Sequence, residues 1–210
     1  MRLCRRMGRS LVRREPPVAV WVGMKRKEIP TLRQAQGRLL SQKTRQGWGT
    51  RIRERSDRPM DITWLDEDGR IGVGGGIWKA ENMAKVAKEG ITHIIDMQIE
   101  CDDRKLGPGD YGICVLWIPT NDDFEPKRAG MFRRGVRFAE NALKEPGTKL
   151  FIHCAAGVHR APMMALAVLC RLKEMSVHDA RDLIEDRRPV ADFAEVYVDS
   201  VRAFLAQRER

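Results

Sequence analysis

The chain has 210 residues, a hydrophobic fraction of 42% and a formal net charge of +10 at pH 7; this composition excludes a wholly disordered protein and allows one domain with a sizeable core. No apolar run is long enough to cross a bilayer and no convincing export signal is present, so we expect a cytoplasmic protein. The five cysteines are odd in number and form no CxxC pair, which argues against a disulfide framework and against a zinc site.

The positive charge is concentrated at the N-terminus. Residues 1–59 contain 17 basic and 4 acidic residues, whereas residues 60–210 contain 22 and 25. The first segment also lacks a sustained helical or strand period, and few of its residues could build a core. We expect residues 1–59 to be a disordered basic extension, which is dispensable or, if translation begins at Met60, outside the native protein. The folded domain is predicted to span residues 60–210.

Strands and helices are predicted to alternate from Met60 onward. Ser176 and Asp192 are each predicted to open one of the last helices with a capping box. This alternation indicates an α/β fold with a central, mostly parallel sheet of about five strands flanked by helices. The continuously apolar strands further predict a sheet that is covered on both faces. The strands are expected at 62–65, 70–73, 91–97, 113–118 and 149–153, and the helices at 78–88, 127–144 and from about 161.

The segment KLFIHCAAGVHRAPM, residues 149–163, places a loop between a buried strand and a helix. Ligands of parallel sheets bind beyond the carboxyl ends of the strands. Backbone N–H groups of such a loop, together with the positive end of the following helix, form an anion site. Gly157 allows the loop to close tightly, and Arg160 can donate two parallel hydrogen bonds to phosphate oxygens. The segment therefore predicts a phosphate-binding loop.

Cys154 is the first residue of this loop. Helix N-termini and nearby cations favour the thiolate over the thiol, so Cys154 is expected to be a nucleophile placed under the phosphorus atom. No metal and no other cofactor are expected, because Arg160 and the backbone amides can supply the charge stabilisation. Cys101, Cys114 and Cys170 are expected to be thiols of the core.

Three segments carry a resemblance to a known family. HCAAGVHRA, residues 153–161, resembles the HCxxGxxR signature of the protein tyrosine phosphatase superfamily, and especially of the compact dual-specificity phosphatases. GITHIID, residues 90–96, is similar to the GITHVLN strand of that family, and IPTNDD, residues 118–123, is similar to its IPxxD loop. The resemblance covers roughly residues 60–206. It implies a protein tyrosine phosphatase-like fold, and a catalytic domain at residues 60–210 that hydrolyses phosphomonoesters through a phosphocysteine intermediate.

The resemblance also implies roles for individual residues. Asp122 matches the aspartate that protonates the leaving oxygen and then activates water, with Asp123 as the second candidate. His153 matches the histidine that orients the loop and tunes the thiol. Ala161 stands where many relatives have Ser or Thr, so we expect slow breakdown of the phosphoenzyme. The loop residues that are expected to bind phosphate are Ala155, Ala156, Gly157, Val158, His159 and Arg160; for the His159 side chain we favour a solvent-facing position over substrate contact.

The expected substrates are proteins that carry phosphotyrosine and phosphoserine or phosphothreonine. Two alternatives remain open: the same chemistry on a phosphoinositide, a phosphoglucan or a nucleic-acid 5′ phosphate, or a non-catalytic scaffold that only binds phosphate. Neither a specific nucleic-acid partner nor a membrane span is expected, since a free basic tail would contact nucleic acid or anionic lipid non-specifically.

Overall fold

A five-stranded sheet forms the centre of residues 61–207, the part of the chain that our computed structural model describes. Its strands are β1 (Ile62–Trp64), β2 (Ile71–Gly74), β3 (His93–Asp96), β4 (Cys114–Trp117) and β5 (Leu150–His153). Their order across the sheet is β1-β2-β5-β3-β4. β1 pairs antiparallel with β2, and every other neighbouring pair is parallel. The predicted α/β fold with a mostly parallel sheet of about five strands is confirmed.

Five α-helices cover the sheet in the described part of the chain. They are α1 (Ala80–Lys88), α2 (Ala129–Leu143), α3 (Arg160–Leu172), α4 (Val177–Arg187) and α5 (Glu195–Leu205). Alternate strand residues face opposite layers, as strand geometry requires. Ile152 of β5 packs into the core formed with α2 to α5, whereas its neighbour Phe151 packs into a second core with Met83 and Val86 of α1. The sheet is therefore buried between one helix on one face and four on the other.

Three strands end side by side at one edge of this sheet. In the parallel register, His153 at the end of β5 lies between Gly74 at the end of β2 and Asp96 at the end of β3. The loops that follow these strands consequently emerge next to each other. This is the edge at which parallel sheets bind their ligands.

Some local predictions differ from the structure. α2 begins at Ala129 rather than at Lys127, and α5 begins after Ala194, so Asp192 is not its cap. Asp192 remains in the loop, where its backbone N–H donates to the carbonyl of Val158. The cap at the start of α4 is confirmed, because the Ser176 hydroxyl accepts a hydrogen bond from the backbone N–H of Asp179.

β4 packs against both cores, through Leu116 and Val115, but it is less buried than its continuously apolar sequence predicts. β4 is an edge strand, and its residues are exposed or only partly buried. Cys114 is consequently exposed instead of belonging to the core, and Cys101 is only partly buried, whereas Cys170 is buried as predicted. Burial raises the pKa of both Cys101 and Cys170 to about 11.

Within residues 61–207, no helix is both long enough and apolar enough to span a bilayer. The prediction of a basic N-terminal extension, residues 1–59, lies outside the described residues. The proposed boundary at Met60 therefore stays a prediction.

Candidate active site

The loop between β5 and α3 closes around the sulfur of Cys154. β5 ends at His153 and α3 begins at Arg160, as the sequence predicts. The Cys154 side chain is 1% exposed, and its Sγ accepts a hydrogen bond from the backbone N–H of Gly157 at 3.3 Å. Since the α3 N-terminus carries partial positive charge, the loop directs amide donors and the end of a helix dipole toward one small volume.

Gly157 is required for this closed conformation. Its φ of +65° is left-handed, and a Cβ atom there would collide with the backbone of Gly74. Gly74 is also a direct partner of the loop, because its carbonyl accepts the Cys154 N–H at 3.4 Å. The glycine run that begins with Gly74, the last residue of β2, therefore supports the phosphate loop.

A buried arginine that follows α4 supports the same loop. Arg188, which is 4% exposed, donates from Nε to the carbonyl of Gly157 at 2.7 Å. Its two Nη atoms bind the carboxylate of Asp61 at 2.8 and 3.0 Å, and Nη1 also reaches the Thr63 hydroxyl at 3.0 Å. Arg188 thus joins the loop to β1 and to the residue before it.

Arg160 is held by an acidic side chain that the sequence did not point to. Its Nη1 and Nη2 donate to the two carboxylate oxygens of Glu100 at 3.0 and 2.9 Å, and Nη1 also donates to the carbonyl of Thr120 at 2.9 Å. Burial disfavours the charged guanidinium, but the bonds to Glu100 and the charges of Cys154 and Asp122 raise the pKa of Arg160. Its Nε is buried and makes no hydrogen bond to any of residues 61–207. One edge of the guanidinium is therefore fixed, while Nε remains unsatisfied.

Asp122 lies at the mouth of the loop. Its Oδ2 is 3.0 Å from His159 Nδ1 and 3.7 Å from Arg160 Nε, and its Oδ1 accepts a hydrogen bond from the Tyr197 hydroxyl at 3.3 Å. Burial alone would raise the pKa of Asp122, but the hydrogen bond from His159 and the charges of His159 and Arg160 lower it. The same partnership raises the pKa of His159.

Two predicted site residues are not where the sequence suggested. Asp123 faces away from the loop: it pairs with Lys127 and accepts the backbone N–H of Glu125. The His159 side chain is 21% exposed and bound to Asp122, so the expectation that it faces solvent is wrong. Ala161, in the first turn of α3, is fully buried.

Beneath the loop, His153 belongs to a fully buried cluster of ionisable groups with Asp96 and Asp103. Its Nε2 lies 2.7 Å from Asp103 Oδ2 and 3.9 Å from Asp96 Oδ1, and all three side chains are fully buried. Burial and the nearby Asp103 raise the pKa of Asp96 to about 7. Burial disfavours the imidazolium of His153, but Asp103 and Asp96 outweigh this effect and raise its pKa.

The ligand atoms of this cluster all lie within 4.8 Å of one another, a spacing that could also suit a metal ion. However, both Asp96 oxygens already accept backbone N–H groups, from Gln98 at 2.8 Å and from Asp103 at 3.1 Å. We therefore interpret the three side chains as a cluster that shares protons.

Comparison with known proteins supplies the class. The family model of the dual specificity phosphatase catalytic domain matches residues 76–205, and the chain belongs to this family. It is 35% identical over 99 residues to the tyrosine-protein phosphatase vhp-1 of Caenorhabditis elegans. The aligned segment covers 47% of this chain and 15% of that protein. It is 25% identical over 116 residues to human dual specificity protein phosphatase 1, covering 55% and 30% of the two chains. The chain thus spans less than a third of either relative.

Among solved structures, the chain is similar to PTPMT1 in complex with PI(5)P. The two share 19% sequence identity with a TM-score of 0.61, over 68% of this chain and 93% of that one. At this identity the likeness establishes the fold alone, and the predicted protein tyrosine phosphatase-like fold is confirmed.

Proposed function

We propose that this protein hydrolyses phosphomonoesters on proteins, with Cys154 as the nucleophile that forms a phosphocysteine intermediate. The observation that carries the proposal is the buried Nε of Arg160. It lacks a hydrogen-bond partner within the described part of the chain, although a buried donor without a partner is costly. A phosphate oxygen held over the Cys154 sulfur would satisfy this donor together with the shared Nη2, in the paired geometry that guanidinium and phosphate favour.

In this mechanism the loop stabilises the negative charge on the oxygens of the transferred phosphoryl group. The N–H groups of residues 155–160 and the start of α3 would bind the non-bridging oxygens. Arg160 would supply the positive charge, and Glu100 would keep its guanidinium oriented. His153 would hold the base of the loop. Because Ala161 offers no hydroxyl to the departing sulfur, breakdown of the phosphocysteine is expected to be the slower half-reaction.

We assign proton transfer to Asp122 rather than to Asp123. An alkoxide or phenoxide leaves slowly without a proton, and one carboxyl group can serve both half-reactions. Asp122 lies 3.7 Å from the Arg160 guanidinium, whereas Asp123 is engaged with Lys127 at the surface. Asp122 is therefore the carboxyl group that would lie beside a phosphate bound by Arg160.

The first experiment measures hydrolysis of an aryl phosphate by the purified full chain, by two cysteine variants and by two aspartate variants. We expect Cys154→Ser to abolish turnover and Cys114→Ser, which changes an exposed thiol, to leave it unchanged. Asp122→Asn should lower kcat on the order of 100-fold or more, whereas Asp123→Asn should change it less than about twofold. Equal loss in both cysteine variants, or wild-type activity in Cys154→Ser, would refute the proposal and favour a binding scaffold.

The substrate class is tested on the same preparations. Phosphotyrosyl, phosphoseryl and phosphothreonyl peptides are compared with a phosphoinositide in vesicles, since PI(5)P is the ligand named in the PTPMT1 complex. We expect the peptides to be hydrolysed faster. A clear preference for the phosphoinositide would keep the chemistry and reject the protein substrate.

We also propose a cytoplasmic location, because a nucleophilic Cys154 must remain reduced and the cytosol keeps thiols reduced. Fractionation of cells that express the full chain tests this, and recovery from an oxidising compartment would contradict it.

A further inference from the structure

The two residues on either side of the phosphate-loop opening form a bonded pair. His159, the residue immediately before Arg160, places Nδ1 at 3.0 Å from Oδ2 of Asp122, although the two are 37 residues apart in the chain. The pair joins the phosphate loop to the separate loop that follows β4. A histidine beside a carboxylate can hold a proton at neutral pH, where an isolated aspartate rarely does.

We propose that His159 is a positioning residue that holds the proton which Asp122 delivers to the leaving oxygen. This inference rests on the proposed function. It assigns a task to a side chain of the phosphate loop that the mechanism above does not use.

The charged groups around the pair favour this arrangement. His159 faces Asp122 on one side and, through Nε2 at 3.4 Å, Asp192 of the loop before α5 on the other. Two carboxylates around one imidazole raise the pKa of His159 above its ordinary value of 6.5. Asp122 in turn faces His159, the Arg160 guanidinium and the hydroxyl of Tyr197, and it stays ionised. The proton of the pair therefore resides on the imidazole in the free protein.

Aromatic packing keeps the pair in this position. The Phe124 ring meets the His159 ring edge-on, with centroids 5.2 Å apart, and stacks on the Tyr197 ring at 5.8 Å. The Tyr197 hydroxyl accepts the backbone N–H of Phe124 at 3.0 Å, and Lys127 lies over the outer face of the Tyr197 ring at 5.2 Å. Burial raises the pKa of Tyr197 to about 12, so its hydroxyl stays protonated and can donate to Asp122.

The proton that His159 gives up in the first step of the reaction returns to it in the second step. In the first step the S–P bond to Cys154 forms and the P–O bond breaks. The proton held by His159 moves to the Asp122 carboxylate, and Asp122 delivers it to the leaving oxygen. In the second step a water oxygen bonds to phosphorus and the S–P bond breaks, with the electron pair returning to sulfur. Asp122 accepts the proton that water releases and passes it back to His159. The net change is hydrolysis of the ester.

The test compares pH profiles of kcat/KM for wild type and His159→Asn. Asn keeps a donor at the position of Nδ1 but cannot hold the proton. We expect the loss in the variant to be less than about threefold at pH 5, where Asp122 can be protonated directly, and about tenfold or more at pH 7. The loss at pH 7 should be large for phenyl phosphate and small for 4-nitrophenyl phosphate, whose leaving group needs less protonation.

His178→Asn is the matched control. His178 also has its Nδ1 at 3.0 Å from a carboxylate, that of Asp182, but it lies on the exposed face of α4. We expect its pH profile to match that of wild type. Asp192→Asn should shift the alkaline limb of the profile to lower pH by less than His159→Asn does. A loss in His159→Asn that is equal at every pH and for both leaving groups would mean a purely structural role and overturns the proposal.

A second measurement does not depend on activity. NMR titration of the histidine side chains, with His159 assigned by its absence in His159→Asn, should give a lower pKa for His159 in Asp122→Asn than in wild type, by about one unit. An unchanged value overturns the proposal even if the protein hydrolyses phosphate esters. If wild type has no phosphatase activity but the pKa does fall, the proposed function fails and the paired proton stands.

Discussion

The two histidines that flank the phosphate loop have similar partners in opposite surroundings. His153, beneath the loop, contacts Asp103 and Asp96 in a cluster with no solvent exposure. His159, at the mouth, contacts Asp122 and the largely exposed Asp192. In the buried cluster, removal of one partner leaves a buried charge unpaired, which strongly lowers the free energy of unfolding. At the mouth, water can replace a partner at little cost. The buried cluster of His153, Asp103 and Asp96 should therefore govern stability, and the pair of His159 and Asp122 should govern catalysis.

The largest effect that would sharpen this contrast is expected from Asp103→Asn. The change removes the carboxylate at 2.7 Å from His153 and should lower the free energy of unfolding by about 3 kcal/mol. Asp192→Asn removes the corresponding partner of His159 and should lower it by less than about 0.5 kcal/mol. Urea unfolding of both variants at pH 7 provides the comparison. Similar losses in the two variants would abolish the distinction.

Glu100→Gln tests how the Arg160 guanidinium is held in place. Gln keeps one acceptor for Arg160 but loses the bidentate carboxylate. We expect kcat/KM to fall on the order of 10-fold to 100-fold, because small displacements of a positioned group are costly in catalysis. Because the Arg160 side chain is only 1% exposed and Gln offers it no charge, the free energy of unfolding should also fall, by about 1–3 kcal/mol, so activity is measured where the variant is fully folded. If activity is retained, the orientation of Arg160 must depend on its carbonyl partners instead.

A smaller effect concerns the pH dependence of stability. The pKa of Asp96 is raised to about 7 in the folded protein, from an ordinary value of 3.8. The folded state thus holds a proton that the unfolded state has released, so the stability from this group is lost as pH rises through 7. Between pH 6 and pH 8 we expect the free energy of unfolding to fall by about 1 kcal/mol.

Asp96→Asn tests whether Asp96 causes this pH dependence of the free energy of unfolding, because an amide does not titrate. Urea unfolding at pH 6 and pH 8 should give a smaller difference for the variant than for wild type. A fall of the same size in both proteins would place the titration elsewhere, for example at His153, whose raised pKa acts with the same sign.

The sequence predicted the parts of the site that lie close together in the chain. Cys154, Gly157 and Arg160 fall within seven residues at a strand-to-helix junction, where local geometry alone brings them together. The sheet was also predictable, because buried strands leave continuous apolar runs. The start of α5 was predicted wrongly, because Asp192 matched the capping pattern while its backbone is bound by Val158 in the loop.

The missing parts are contacts across long stretches of chain. Glu100 is 60 residues from Arg160, and Arg188 is 31 residues from Gly157. No periodicity links such pairs, and a charged residue in a loop has the same sequence signature whether it meets solvent or a buried partner. The sheet order was needed to place the loop after β3 beside the phosphate loop. Only after that placement does the carboxylate of Glu100 become a candidate partner for Arg160.

The bridge made by Arg188 sets a lower limit on how much of the chain an active fragment must contain. The family match begins at residue 76, and a fragment trimmed to that point would lack both β1 and β2. Arg188 would lose Asp61 and Thr63, and Cys154 would lose the Gly74 carbonyl that accepts its N–H. Shortening the chain at a position remote from Cys154 in sequence would therefore loosen the loop that encloses the sulfur.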